Sequence, residues 1–199
     1  LLKYVEHSNE PKGDGVNETV ITLKDDKYPV TVKLHYIAYG KENIIRTFSE
    51  ISHQEKKPVT LSKYASSMLH LNSSRYFLTE FSGDWAHEAN ITERELAFGK
   101  KVIDTKLGAR ANMFVSPFFQ LSVDNPSEEN TGEVIVGTLG WTGNFRFTFE
   151  VDNLNHLRIL SGINPYASEY NLPAGEVFRT PDFYFTYSLN GKGQASRNF

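Results

Sequence analysis

Apolar and polar positions alternate with a period of two through most of this chain. In YPVTVKLHYIAY, Val30, Val32, Leu34, Tyr36 and Ala38 point one way and Thr31, Lys33, His35 and Ile37 the other, the pattern of a half-buried strand. ETVITLKD precedes this run, and NIIRTFSEIS, PVTLSKYASSMLHL, RYFLTEF, PFFQLSV, GEVIVGTLG, NFRFTFEVD, HLRILSGI and EVFRTPDFYFTYSL follow it. Turn-forming clusters separate the runs: KGDG, Asp25-Asp26, Tyr39-Gly40, DNPSEENTG, Thr142-Gly143-Asn144, DNLN and LPAGE. TGNF and DNLN are expected to close meander hairpins. Only LSKYASSMLHL approaches helical spacing, and its alternating Ser and Tyr positions assign it to a strand. The tail GKGQASRNF loses the pattern and is expected to begin a linker.

Many short strands with tight turns and no helices between them predict an all-β fold, an antiparallel β-sandwich of two packed sheets, with a barrel as the weaker option. There is no repeat of fixed period and no Pro-, Gly- or Ser-rich linker, so residues 1–199 read as one domain. The opening LLKYVEH is neither an initiation site nor a signal peptide, so the chain is expected to be part of a longer one.

Composition narrows the partners. A net charge of -3 supplies no basic field for nucleic acid or an anionic membrane, and no apolar run approaches the roughly 18–20 residues that cross a bilayer. Without cysteine there is no disulfide, thiolate nucleophile or Cys-based zinc site, and the compartment stays open. The 14 Phe, 10 Tyr and 2 Trp point to strand packing or to sugar-facing surfaces.

Candidate chemistry is sparse. The six histidines form no HxH or HxxxH pair, so His35 and His70 read as strand-surface or satisfied core residues and no metal site is expected. There is no G-x-S-x-G elbow, P-loop or G-x-G-x-x-G turn, so no cofactor is expected. Asp124, Glu128 and Glu129 could offer oxygens to calcium, but without EF-hand spacing they read as a solvated loop. The informative stretch is residues 76–111, where Asp84, Trp85, His87 and Glu88 fall within five positions just after a strand. An aromatic face stacks on the C–H face of a sugar ring and carboxylates accept its hydroxyl protons, while Trp85 could equally close the core. Asp84 and Glu88 as a retaining glycosidase pair are disfavoured, because four extended residues separate them by roughly 13 Å and such pairs stand about 5 Å apart.

The same stretch, YFLTEFSGDWAHEANITERELAFGKKVIDTKLGAR, resembles the part of glycoside hydrolase family 36 alpha-galactosidases that reads H-G-D-W-A-R-E and then F-G-x-K-x-I/V-x-S-x-x-G. Further matches follow in order: Pro117-Phe118-Phe119 to N-P-F-F, Glu129 to Val134 to E-E-N-G-E-V, Thr142 to Phe145 to S-G-N-F, Gly162 to Pro165 to G-I-N-P, Leu172 to Glu176 to L-x-P-G-E, and Thr180-Pro181 to T-P. The resemblance runs from about Gly13 to the end of the chain. It implies an N-terminal β-supersandwich, galactose-mutarotase-like domain that lacks its first strands and precedes a TIM-barrel catalytic domain. It also implies removal of terminal alpha-galactose from oligosaccharides with retention by two barrel aspartates. No lysine-aromatic-aspartate triplet of that kind stands here, so the segment alone is expected to be inactive. Where relatives have Arg, this chain has His87; where they have S-S-H-Q-x-N-P-F, it has Ala111 to Phe118.

The resulting expectation is an accessory domain that packs on its own catalytic barrel, shapes the rim of the pocket and, in tetrameric relatives, helps form subunit contacts. Asp84, Trp85 and Glu88 are the candidates for a carbohydrate-binding or domain-interface rim, with Arg110 as an anchor. A free-standing carbohydrate-binding module using Trp85 or Trp141, and a purely structural domain, are the alternatives.

Overall fold

A computed structural model describes residues 1–111 and 113–199. Its strands, in chain order, are β1 (Leu2–Gly13), β2 (Val16–Asp25), β3 (Val30–Tyr39), β4 (Ile44–His53), β5 (Val59–Leu61), β6 (Ser67–Asn72), β7 (Tyr76–Ser82) and β8 (Asn90–Glu95). There follow β9 (Gly99–Asp104), β10 (Val115–Val123), β11 (Val134–Gly140), β12 (Phe145–Val151), β13 (His156–Ile163), β14 (Tyr170–Leu172), β15 (Val177–Arg179) and β16 (Asp182–Ser188). One short helix, α1 (Gly191–Arg197), comes last.

A large antiparallel sheet runs β1-β2-β3-β4-β16-β11-β10-β7-β8, with β15 joined to β4, and a second sheet runs β6-β13-β12-β9. β5 and β14 form a separate ribbon. The all-β sandwich expected from the alternation is what forms. Between the sheets lies an aromatic core: Phe119 of β10 is fully buried, with ring centroids 5.3 Å from Phe147, 5.0 Å from Phe149 and 6.3 Å from Phe183. The contacts with Phe147 and Phe149 are edge-on and that with Phe183 is stacked at 16°, arrangements that suit the ring quadrupoles when the faces are offset. Gly137 makes room for them, because a Cβ there would stand 2.6 Å from the Phe119 ring and 2.8 Å from that of Phe183.

Several local readings need correction. TGNF does not close a hairpin: it carries the chain from β11 in the large sheet to β12 in the small one. DNLN does close one, between β12 and β13, with Asp152 Oδ1 accepting the Leu154 and His156 N–H groups. The tail is no linker. Residues Gly191–Arg197 form α1, whose buried Ala195 packs on Val134 and Val136 with Phe118 beside them. On β3, Ile37, assigned to the polar face, is buried. Both faces of this part of the sheet are half covered.

His35 lies on the face away from the small sheet, stacked on Phe48 at 4.3 Å and 10°, with Nδ1 2.9 Å from Glu18 Oε1. That hydrogen bond holds the Glu18 carboxyl below its ordinary 4.5. A carboxyl with a depressed folded-state pKa stabilises above its unfolded value, and that contribution disappears as pH falls through the folded value. Glu18→Gln should therefore lower the melting temperature by about 2–4 °C at pH 7, as expected for one hydrogen bond in a domain of this size. The difference should close as pH drops well below 4.5; a gap that stays constant from pH 7 to 3 contradicts the linkage.

Candidate functional site

Four loops meet at one end of the sandwich: residues 83–89, 105–111 with 113–114, 141–144 and 164–169. Backbone and amide hydrogen bonds tie them together. The Gly83 N–H donates to the Phe114 carbonyl (2.9 Å), the Gly108 N–H to Asn144 Oδ1 (2.7 Å), and the Asn164 N–H to the Asn144 carbonyl (2.9 Å). Fully buried Asn164 also donates from Nδ2 to the Thr105 carbonyl (2.9 Å) and to Asp104 Oδ2 (3.3 Å), which holds Arg146 at 2.7 Å. Asn144 and Asn164 thus knot the loop end, a role that spacing along the chain does not reveal. Their only trace is that each sits in a matched motif, TGNF or GINP.

The 83–89 loop is a tight reversal. Asp84 and His87 exchange backbone bonds (3.2 and 2.9 Å), Asp84 Oδ1 accepts the Trp85 N–H (2.7 Å), and Glu88 Oε1 accepts the Ala86 N–H (3.2 Å). Gly83 is required by close approach: a Cβ would stand 2.9 Å from the Glu88 Cα and the His87 carbonyl oxygen. Ala86 takes φ 62°, a left-handed conformation that costs an L-residue about 1–2 kcal/mol. Both candidate carboxylates therefore hold the turn with one oxygen, and the other has no hydrogen-bond partner among the described residues. Trp85, which could have closed the core, is 85% exposed. The turn presents the indole to solvent.

Arg110 belongs to a single 3₁₀ turn (Gly108–Arg110) in the adjoining loop and is exposed. With Ala109, Met113 and Thr142 it lines an open cleft of about 640 Å³. Trp141, partly exposed, lies flat over Gly143, where a Cβ would meet Nε1 at 2.7 Å. Asp84, Trp85, Glu88 and Arg110 all stand at this end. Asn112, in the stretch that departs from the family pattern, lies outside the described residues. Asp124, weighed above as a calcium ligand, instead accepts from Ser73 Oγ (2.5 Å), Ser74 Oγ (2.7 Å) and the Ser74 N–H (3.1 Å), which hold its carboxyl below the ordinary range. An exposed indole and two carboxylates on one loop, with a guanidinium edging an open cleft on the adjoining loop, can bind a polyhydroxylated surface or a neighbouring polypeptide.

Known proteins share this chain's sequence and fold. Residues 2–173 match the family model described as the glycosyl hydrolase family 36 N-terminal domain. Alpha-galactosidase AgaA from Geobacillus stearothermophilus is 31% identical over 96% of this chain and 26% of its own length. Alpha-galactosidase 2 from Hypocrea jecorina is 28% identical over 92% of this chain and 24% of its own. Among solved structures, a variant of the Geobacillus AgaA in complex with 1-deoxygalactonojirimycin superposes with a TM-score of 0.91 at 26% identity, covering 99% of this chain and 29% of that one. A second AgaA variant, in complex with stachyose, gives 0.90 at 27% identity, again covering 99% of this chain and 29% of its own. The chain spans about a quarter of the length of the curated relatives it matches. Motif order, sheet topology and family model agree that this chain belongs to the N-terminal domains of glycoside hydrolase family 36.

Proposed function

We propose that this chain serves an alpha-galactosidase-like retaining glycoside hydrolase that removes terminal alpha-galactosyl residues from oligosaccharides, with the catalytic carboxylates supplied from outside these 199 residues. In this reading the domain packs on a catalytic barrel, and its loop end forms a rim over the pocket or a contact between subunits, a tetramer being the assembly expected. The observation that carries the rim is Trp85, 85% exposed on a turn closed by Asp84 and Glu88. Relatives of this fold are known in complex with stachyose and with raffinose.

In the full polypeptide, Trp85→Ala is expected to lower kcat/KM on melibiose by about tenfold or more, equivalent to about 1.4 kcal/mol of transition-state stabilisation. The melting temperature should stay within about 1 °C, because the indole buries little surface. Unchanged kcat/KM together with an unchanged oligomeric mass would sink the rim assignment. The exposed indole also favours a second reading, a free-standing carbohydrate-binding module. That reading requires saturable quenching of tryptophan fluorescence by galactose or melibiose, lost in Trp85→Ala or in Trp141→Ala.

A further inference from the structure

Away from the loop end, the space between the sheets changes character. The aromatic core gives way to hydroxyls where β4 of the large sheet approaches β6 of the small one. Thr47 and Ser49 face inward from β4, beside Leu34 and Tyr36 of β3, and opposite them stand Ser66, Ser67 and, across the strand pair from Ser67, Ser161. Ser66, Ser67 and Ser161 are 2%, 8% and 1% exposed, and none of their hydroxyls has a hydrogen-bond partner among the described residues. Leaving a buried hydroxyl unpaired is costly, so Ser66 and Ser67, adjacent on one wall with Thr47 and Ser49 across from them, mark a place built to receive hydrogen bonds from something other than the chain. Ser66 and Ser67 line a partly enclosed cavity of about 220 Å³.

We propose that this inter-sheet cavity binds a small neutral polyhydroxyl compound, a free polyol or a single sugar ring. Its walls carry no Asp, Glu, Lys or Arg among the described residues, which disfavours a phosphate, carboxylate or amine ligand. The ring of His35, which borders it, is turned to the opposite face of the sheet, where it bonds Glu18. Leu34, Ala65 and Met68 add apolar wall for C–H groups between the hydroxyls. Size sets the limit. Drug-sized ligands occupy pockets of about 300 Å³ and more, so this cavity admits one ring or a short polyol and excludes an oligosaccharide. The site is separate from the rim at the loop end and does not depend on the role proposed for it.

Hydrogen–deuterium exchange on the intact polypeptide, titrated with erythritol or glycerol, tests the assignment. Polyols excluded from protein surfaces slow exchange everywhere and without saturation. A ligand in the cavity should instead slow exchange in residues 64–69 by about threefold or more, half-saturating in the millimolar range, while residues 83–89 follow the global trend. Ser66→Ala and Ser67→Ala each remove one hydroxyl from the cavity wall without enlarging the strand contacts. Without polyol both variants should melt at or above the parent temperature, and combined they should abolish the local, saturable protection. Trp85→Ala should leave it intact. Protection that is uniform, that never saturates, or that survives the double substitution overturns the proposal and leaves these hydroxyls to water alone.

Discussion

Replacing Phe119 with alanine is expected to destabilise the fold by about 3–5 kcal/mol, the range for truncating a fully buried aromatic ring. Phe119 is the residue through which the two sheets hold each other. It comes from β10, an inner strand of the large sheet between β11 and β7, and meets Phe147 and Phe149 of β12 in the small one, while Phe183 of β16 flanks it within its own sheet. The surrounding rings are themselves fully buried and pinned on strands, so the cavity cannot collapse cheaply. Against a total stability of about 5–15 kcal/mol, such a loss takes a large share of the folded population. Gly137→Ala attacks the same slot from the other side: the added methyl would enter space held by Phe119 and Phe183 and should cost about 1–3 kcal/mol. Urea unfolding of both variants measures this. A loss below about 1 kcal/mol for Phe119→Ala would mean that the sheets are not held together through this cluster.

The strands that build this core were readable because burial on one face imprints alternation on the sequence. PFFQLSV and NFRFTFEVD supply Phe119, Phe147 and Phe149, and NFRFTFEVD is β12 almost to the residue. Strands that bury little left no such imprint. β1 is exposed along its whole length, as is β8, and both lie at edges of the large sheet. They form because a neighbour supplies hydrogen bonds, and Asp14-Gly15, both at positive φ, closes the β1–β2 hairpin. Pro11 and the lysines on β1 blunt the exposed edge.

Period alone also cannot say which sheet a strand joins. TGNF carries sound turn chemistry yet links two layers, and EVFRTPDFYFTYSL reads as one strand although Pro181 separates β15 from β16. At that break Thr180 Oγ1 accepts the Ser49 N–H (2.8 Å). α1 was hidden because GKGQASR spends two of its seven residues on glycine. Its helix is imposed by docking, with the Lys192 and Gly193 N–H groups donating to the Glu128 and Glu129 carbonyls. At the candidate site the residues in the D-W-A-H-E cluster stood out by type and spacing. The asparagines that hold the loops together did not, since their partners lie tens of residues away in sequence.

The 199-residue chain by itself should release no nitrophenol from a nitrophenyl alpha-galactoside, at a rate indistinguishable from buffer. Retaining hydrolysis needs two carboxyls about 5 Å apart on either side of the glycosidic bond, one as nucleophile and one as acid. Three of the carboxylates near the loop end are committed to other work. Asp84 and Glu88 each hold a backbone N–H of their own turn, and Asp104 is paired with Arg146 and bonded by Asn164. Moving either turn carboxylate into a nucleophilic position would free an N–H and open the reversal that presents Trp85. Enzymes accelerate such reactions by at least about 10⁶-fold, so even a small intrinsic activity would stand far above background in this assay. The longer polypeptide should be active in the same assay, and Asp84→Asn in it should reduce kcat/KM through the rim while leaving residual turnover. Turnover by the short chain that survives purification and vanishes in its own Asp84→Asn variant would place the chemistry in this sandwich rather than beyond it.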